Sequence, residues 1–192
     1  AVITIQTAYN LENPFVPKYY IGLGARDSMI LEFSSTIVGL ILAGKVGSMI
    51  TSEIGTMRVT EQIDALEIMG VNSASYLILP KVIAAVVFNP VLNVISITIG
   101  ILGGYIATFA TNVVSISDYV YGLHYWFIPF YITYSFIKTI VFAFIIATVP
   151  AYHGYYTSGG ALDVGKSATR GVVYTSVLIL MFNLIITQLF LS

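Results

Sequence analysis

The sequence has no cysteine and very little charge, and both shortages exclude classes of function. Without cysteine there is no disulfide, no thiolate metal site and no thiol chemistry. Lys, Arg, Asp and Glu make up only 9% of the residues, whereas soluble domains contain about 25%. The net charge of −1 provides no basic surface for nucleic acid. With 57% hydrophobic residues, the composition predicts a membrane protein.

Four apolar stretches are each long enough to cross a bilayer as a helix, which takes about 20 residues. They cover residues 28–52, 82–110, 128–149 and 171–191. Residues 1–8 are also apolar and look like the end of an earlier span, so we expect an N-terminally truncated fragment. The predicted fold is a single all-α, polytopic domain over residues 1–192, with about five spans in the full protein.

Two features of the span at residues 82–110 bear on its shape. Pro90 should kink the helix, and the amides of Asn89 and Asn93 could satisfy the backbone groups that it frees. Gly100 and Gly104 have the GxxxG spacing that allows another segment to approach a helix closely.

The basic residues between the spans predict the orientation of the chain. The loops at 45–81 and 151–170 contain Lys45, Arg58, Lys81, Lys166 and Arg170, whereas the loops at 9–27 and 111–127 contain Lys18 and Arg26. The positive-inside rule therefore places the first pair of loops in the cytoplasm and the C-terminus on the opposite side of the membrane. The second pair is rich in Tyr and Phe, which favour the water interface of a bilayer.

The longest polar interruption runs from Ala43 to Pro80. Its centre, residues 56–69, contains no Pro, ends before Gly70 and predicts a helix. Charges three residues apart wrap about half of a helix with 3.6 residues per turn, and such a helix cannot lie in hydrocarbon. We expect an amphipathic cytoplasmic helix that is displayed to a soluble partner. The candidate contact residues are Glu53, Met57, Arg58, Glu61, Asp64 and Glu67.

Three ionisable residues, Glu32, Lys138 and Arg170, lie inside or beside the predicted spans. A charge inside a bilayer costs several kcal/mol, so such a residue faces a partner, water or the membrane surface. For Glu32 and Lys138 two interpretations stay open, namely a role along a transport pathway and a structural ion pair that locks two helices. Arg170 could simply anchor the last span at the interface.

The stretch AGKVGSMITSEIGTMRVTEQIDALEIMGV at residues 43–71 resembles the signature of MlaE-type permeases, the membrane subunits of Mce-associated lipid-transport ABC systems. The resemblance extends to LEF at 31–33, SFIKTIVFAF at 135–144 and SATRGVVYTS at 167–176, which contain Glu32, Lys138 and Arg170. The sequence departs from the family at Leu31, where many members have a basic residue.

This resemblance implies a homodimeric permease in the bacterial inner membrane whose loop helix couples to a separate cytoplasmic ABC ATPase. ATP and Mg²⁺ would bind that ATPase, so no catalytic residue, cofactor or metal site is expected in this chain. The implied cargo is phospholipid, exchanged with a periplasmic Mce-domain protein. A small cytoplasmic accessory subunit completes the expected partners.

Other functions make distinct predictions. An ion-coupled secondary transporter would use Glu32 and Lys138 as a relay, and a membrane scaffold would need neither residue for activity. Residues 39–45 fit the beginning of a phosphate-binding loop, GxxxxGK, but Val46 replaces the required hydroxyl and the stretch continues a span. Close helix packing is the better interpretation of these glycines.

Overall fold

The computed structural model describes residues 1–10, 16–111 and 114–191, and within these ranges the secondary structure is helical, with no strand. Its ten α-helices are α1 (Val2–Asn10), α2 (Tyr20–Ser28), α3 (Ser34–Leu42), α4 (Ser48–Val59), α5 (Gln62–Ile68), α6 (Ser73–Leu77), α7 (Leu79–Thr111), α8 (Ile116–His124), α9 (Phe130–Tyr155) and α10 (Ala161–Leu191). Two π-helical segments, Met29–Phe33 and Ala43–Gly47, join α2 to α3 and α3 to α4.

Among the described residues, four helical stretches are long and apolar enough to cross a membrane. They are Tyr20–Val59, Ser73–Thr111, Phe130–Tyr155 and Ala161–Leu191. The all-α, polytopic fold class predicted from the sequence is therefore confirmed.

Besides the loop at 45–81, which was predicted to contain a helix, the helices extend into the other three regions that the sequence predicted as loops between spans. The stretch 9–27 contains the end of α1 and most of α2, and 111–127 contains α8. The stretch 151–170 contains the end of α9 and the beginning of α10. Residues 11–15 and 112–113 of these predicted loops lie outside the described residues.

The predicted single helix over 56–69 is two helices in the structure. Between α4 and α5, Glu61 adopts a left-handed conformation with φ of 60°, which interrupts the helix. This break allows Ile63 to pack on Ile54 of α4. In one straight helix these two residues would be separated by about 13 Å along the axis, at 1.5 Å per residue.

The chain divides into two compact units. The first unit comprises Ala1–Ser35 and Leu92–Phe136, and the second comprises Thr36–Val91 and Ile137–Ser192. In the first unit α8 packs on α2 where Gly22 and Gly122 allow the two backbones to approach closely.

The predicted GxxxG positions of α7 also lie in the first unit, and both are contacted by side chains. Gly100 faces the side chain of Met29, and Gly104 faces the side chains of Tyr119 and Thr4. A Cβ at either position would overlap these groups, so the spacing provides room for side chains from α8, α1 and the first π-helical segment.

In the second unit, small residues bring α4 against α9 and α10. An added Cβ on Gly154 would lie 2.8 Å from the Thr51 carbonyl oxygen, and one on Gly171 would lie 2.9 Å from Thr51 Oγ1. The Thr51 hydroxyl, which is fully buried, donates a hydrogen bond of 2.9 Å to the carbonyl of Pro150. The three helix ends are therefore closely interlocked.

Helix α7 continues through Pro90 without a break. The two Asn side chains hydrogen bond to α9 and not to α7 itself. Asn89 Nδ2 donates to the Thr139 carbonyl at 3.0 Å, and Asn93 Nδ2 donates to Ser135 Oγ at 2.8 Å. These amides therefore tie α7 to α9, which the sequence did not indicate.

Candidate functional site

Helix α5 is held against the ends of the spans by an apolar cluster. Ile63 of α5 is fully buried against Ile50 and Ile54 of α4 and Ala151 of α9. Partly buried side chains pack around this cluster, among them Met57, Leu77 and Tyr155. A fully buried Ile contributes about 2–5 kcal/mol relative to Ala, so this anchor keeps α5 close to the membrane-spanning helices.

A hydrogen-bonded group ties the C-terminal end of α5 to α6 and α9. Glu67 Oε1 accepts a hydrogen bond from the Tyr155 hydroxyl at 2.8 Å and another from the Ser73 hydroxyl at 2.9 Å. The two hydroxyls also lie 2.8 Å apart. The bonds from Tyr155 and Ser73 lower the pKa of Glu67 below its ordinary value of 4.5.

Two ion pairs join other charged residues of the loop region. Arg58 Nη1 lies 2.6 Å from Asp64 Oδ1, and the Arg58 guanidinium lies 5.9 Å from the centre of the Tyr155 ring. Lys81 at the beginning of α7 lies 2.7 Å from Glu53 of α4. These pairs are partly exposed, so each contributes little to stability. The Arg58–Asp64 pair joins α5 to α4, and the Lys81–Glu53 pair joins α7 to α4.

The structure thus separates the six candidate contact residues into two groups. Glu53, Arg58, Asp64 and Glu67 bind other residues of the chain, and Met57 packs on the apolar cluster. Glu61 is exposed at the break between the helices. Most of the charges that the sequence assigned to a partner therefore fix the helix in place.

The outward side of α5 is more apolar than the charge pattern suggested. Ile68 is 88% exposed and Met69, the next residue, is 68% exposed. Beside them lies an open depression of about 390 Å³, lined by Glu67, Gly70, Val71, Asn72, Ser73 and Tyr155. Exposed apolar side chains next to a depression are typical of a surface that docks another protein.

Sequence reasoning missed two residues of this site, Ser73 and Tyr155. Tyr155 is 88 positions from Glu67, and no local spacing connects them. The exposed Ile68 and the buried Ile63 are five residues apart, a distance that on one helix turns the side chain by about 140°. That periodicity was the one available signal that the two isoleucines face opposite sides.

The structure places the three charged residues of the spans in different environments. Glu32 lies in the first π-helical segment, where its Oε1 is 3.4 Å from the Tyr134 hydroxyl. Lys138 lies in α9 and is fully buried. Arg170 is exposed on α10. Glu32 belongs to the first unit and Lys138 to the second, and their pairing stays a prediction.

Comparison with known proteins adds to this geometry. The model of a protein family described as "Permease MlaE" matches residues 1–189. The chain belongs to the MlaE permease family.

Three relatives illustrate this family relationship. A Rickettsia bellii protein named "Probable ABC transporter permease protein" is 42% identical over 163 residues, which are 85% of this chain and 63% of the relative. A Synechocystis protein of the same description is 32% identical over 162 residues, 84% of this chain and 62% of the relative. The Arabidopsis thaliana protein "TRIGALACTOSYLDIACYLGLYCEROL 1, chloroplastic" is 34% identical over 159 residues, 83% of this chain and 45% of the relative. The chain thus spans less than two thirds of each of these relatives.

In this MlaE-family permease, the residues that fit GxxxxGK do not form a phosphate-binding loop. Residues 39–45 are helical, and Gly39 packs against the side chains of Phe142 and Ile179. Lys45 is exposed in the second π-helical segment. Within the described ranges, no three His, Asp or Glu side chains are grouped so that they could hold a metal ion.

Proposed function

We propose that this chain is the permease subunit of an ABC transporter, with a separate cytoplasmic ATPase docked on α5. The observation that carries the proposal is the two-sided construction of α5. Its inner side is anchored by Ile63 to the ends of α4 and α9, and its outer side presents Ile68 and Met69. A helix built in this way binds a partner and transmits the partner's movement to the spans.

The transmission path runs through contacts of the second unit. Movement of α5 acts on α9 through Glu67 and Tyr155, and on α4 through Ile63. Because α4 packs on α9 and α10 at Gly154 and Gly171, these helix ends respond together. The chain itself supplies no ATP chemistry in this mechanism, since ATP and Mg²⁺ are bound by the partner.

We further propose phospholipid as the cargo, moved between the bacterial inner membrane and a periplasmic Mce-domain carrier. The family membership supports a lipid cargo, as does the name of the Arabidopsis relative, which refers to a galactolipid. In a homodimer, the exposed apolar faces of α7 and α10 would provide both the contact between copies and the lipid-facing wall. The C-terminus would be periplasmic, a small cytoplasmic subunit would assist, and the system would maintain outer-membrane lipid asymmetry.

Co-purification tests this function. The full-length protein is solubilised and captured, and the bound proteins and lipids are identified by mass spectrometry. We expect an ABC ATPase, an Mce-domain protein and retained phospholipid. Capture of the protein without an ATPase would contradict the proposal.

An Ile68→Glu substitution should abolish capture of the ATPase, because it places a charge in the apolar contact. The matched control is Leu162→Glu, which changes a 75% exposed side chain at the beginning of α10 and should retain the ATPase. Both variants should keep the helical content and membrane insertion of the unmodified protein. If Ile68→Glu retains the ATPase, the docking site is not on α5.

An ion-coupled transporter remains the second candidate, because Lys138 is fully buried within a span. In that case lipid or solute movement follows an ion gradient and does not need the ATPase. A Glu32→Gln variant would then lose transport in vesicles energised by a proton gradient alone. Transport that depends on ATP and is unaffected by the gradient decides for the ABC mechanism.

The hydrogen bonds to Glu67 predict that docking of α5 depends on pH. A carboxyl group whose pKa is lowered in the folded state adds stability above its ordinary pKa of 4.5, and this stability is lost as the pH falls through the lowered value. Amide hydrogen exchange of α5, corrected for the intrinsic pH dependence, should therefore accelerate in that acidic range. A Glu67→Gln variant should remove this pH dependence, and the exposed Glu61→Gln should preserve it.

A further inference from the structure

An aromatic and apolar surface is exposed beyond the C-terminal end of α7, in the first unit. We define the α8 face as Ile116, Val120, Tyr121, Trp126 and Phe127, whose exposed fractions range from 36% to 73%. Ser117 and His124 complete the outward side of α8. Asp118, the one acidic residue of α8, is partly exposed and accepts a hydrogen bond from the Ser115 hydroxyl at 2.6 Å. A surface of this composition would be unusual if it faced only water.

The α8 face is continuous with the apolar surface of the spans. Ile106 and Phe109, near the end of α7, are 65% and 67% exposed. Phe130 and Ile132, at the beginning of α9, are each 44% exposed. The α8 face thus lies where the chain leaves one span and enters the next, which is the level where Trp and Tyr are enriched in membrane proteins.

Helix α8 is held in this position by Arg26, which is only 3% exposed. Its Nη1 donates hydrogen bonds to the carbonyls of Leu123 at 2.8 Å and Tyr125 at 2.9 Å, and Nη2 approaches the Trp126 carbonyl at 3.4 Å. Asp27 lies 2.8 Å from the guanidinium. The cation therefore neutralises the C-terminal carbonyls of α8 and fixes the turn that follows.

Trp126 adopts a backbone conformation that its residue type rarely has. Its φ is 44°, in the left-handed region, and its side chain is 73% exposed. A conformation of this kind persists only when its surroundings enforce it, and here Arg26 does so. The result is an indole that projects outward from the turn.

We propose that the α8 face is a membrane anchor that lies in the headgroup layer of a phospholipid bilayer, and that Arg26 is its positioning residue. The indole and phenol rings lie among the headgroups and the upper acyl chains. The hydrogen bonds from Arg26 to the carbonyls at the C-terminal end of α8 hold α8 against α2, and Asp27, which is partly exposed, balances the charge of Arg26. This anchor fixes the depth of α7 and α9 in the membrane.

Trp126 provides a direct test, because it is the only tryptophan of the sequence. The full-length protein, with any tryptophan outside these residues replaced by Phe, is reconstituted in phosphatidylcholine vesicles. Brominated phosphatidylcholine carries the quencher either near the carbonyls or near the chain ends. We expect Trp126 to be quenched more strongly by the shallow bromines, and iodide to quench it several-fold less than free tryptophan amide.

A depth reference comes from Val91→Trp in a Trp126→Phe background, since Val91 lies in the middle of α7 and is 52% exposed. The deep bromines should quench this reference more strongly. Full iodide quenching of Trp126 without bromine quenching would overturn the anchor. Shielding of Trp126 from both iodide and bromine would also overturn the anchor, and would indicate that a second copy of the chain covers the α8 face. If the shielding appears only after a carrier protein is added, the carrier protein covers the face.

An Arg26→Lys variant tests the positioning role. Lysine keeps the charge but cannot donate to several carbonyls in one plane. In this variant the shallow and deep bromines should quench Trp126 to more similar extents than in the unmodified protein. The helical circular dichroism should stay unchanged. An unchanged depth profile of Trp126 in a folded Arg26→Lys protein would show that Arg26 does not position the α8 face. Whether the α8 face is a membrane anchor is tested separately, by the quenching of Trp126 in the unmodified protein.

Discussion

A Gly154→Ala substitution should lower the free energy of unfolding by about 1–3 kcal/mol, the range for forcing a group into a packed interior. The added methyl group would lie 2.8 Å from the Thr51 carbonyl oxygen, and 3.1 Å from both Thr51 Cα and Ile54 Cβ. Two of these three atoms belong to the backbone of α4, so a rotamer change cannot relieve the overlap. Helices α4 and α9 must separate, and transport should fall with them.

The matched control is Gly165→Ala in α10, where an added Cβ has no atom of the described residues within 4 Å apart from its chain neighbours and the local helix backbone. Because Ala is the better helix former, this change should raise the free energy of unfolding by about 0.5–1 kcal/mol. Thermal unfolding of the two variants in the same detergent measures both effects. The same chemical change thus has opposite signs at two glycines, and equal effects would show that α4 and α9 are not closely packed at Gly154.

The sequence was sufficient for the fold class because membrane spans follow from composition alone. Four apolar stretches between polar segments predict four helices, whatever their neighbours are. The ends of these helices were less predictable. Helix α8 and the last turn of α9 contain enough polar and aromatic residues to suggest loops, but their backbone continues as a helix under the packing of Tyr119 and Ala151.

The break at Glu61 was not predictable from local propensity. Neither Gly nor Pro stands between Thr56 and Met69, and Glu rarely adopts a left-handed conformation. The gain from burying Ile63 in the cluster around Ile54 outweighs that local cost. Tertiary packing therefore decides where the polar loop bends, and single-sequence reasoning does not include it.

The roles of the loop charges were also decided by tertiary contacts. The spacing of Arg58, Glu61, Asp64 and Glu67 suggested one charged surface on one helix. In the structure Arg58 and Asp64 face each other across the break, and Glu67 is bonded to Tyr155. A charge pattern indicates that a segment is outside the bilayer, but not whether its charges face a partner or the rest of the chain.

Substitutions of the two isoleucines of α5, Ile63 and Ile68, distinguish the anchoring of this helix to the chain from its docking to a partner. Ile63→Ala should destabilise the docked helix by about 2–5 kcal/mol, because it leaves a cavity in a fully buried site. Ile68→Ala should leave stability within about 0.5 kcal/mol of the unmodified protein, because its side chain is 88% exposed. Amide hydrogen exchange of α5 reads out this difference in the permease alone.

Substitutions of Ile63 and Ile68 should also affect binding of the ATPase differently. In the proposed complex the ATPase buries Ile68, so Ile68→Ala should raise the dissociation constant about tenfold, corresponding to about 1.4 kcal/mol. Ile63→Ala should weaken binding through an undocked α5, and a second change that restores the packing, Ile63→Leu, should largely recover it. We therefore expect Ile63→Leu to retain ATPase binding and Ile68→Ala to weaken it. This result is expected of a helix that is anchored on one side and bound by a partner on the other. If binding is insensitive to Ile68 but lost with Ile63, the partner contacts a different surface that depends only on the fold of the loop.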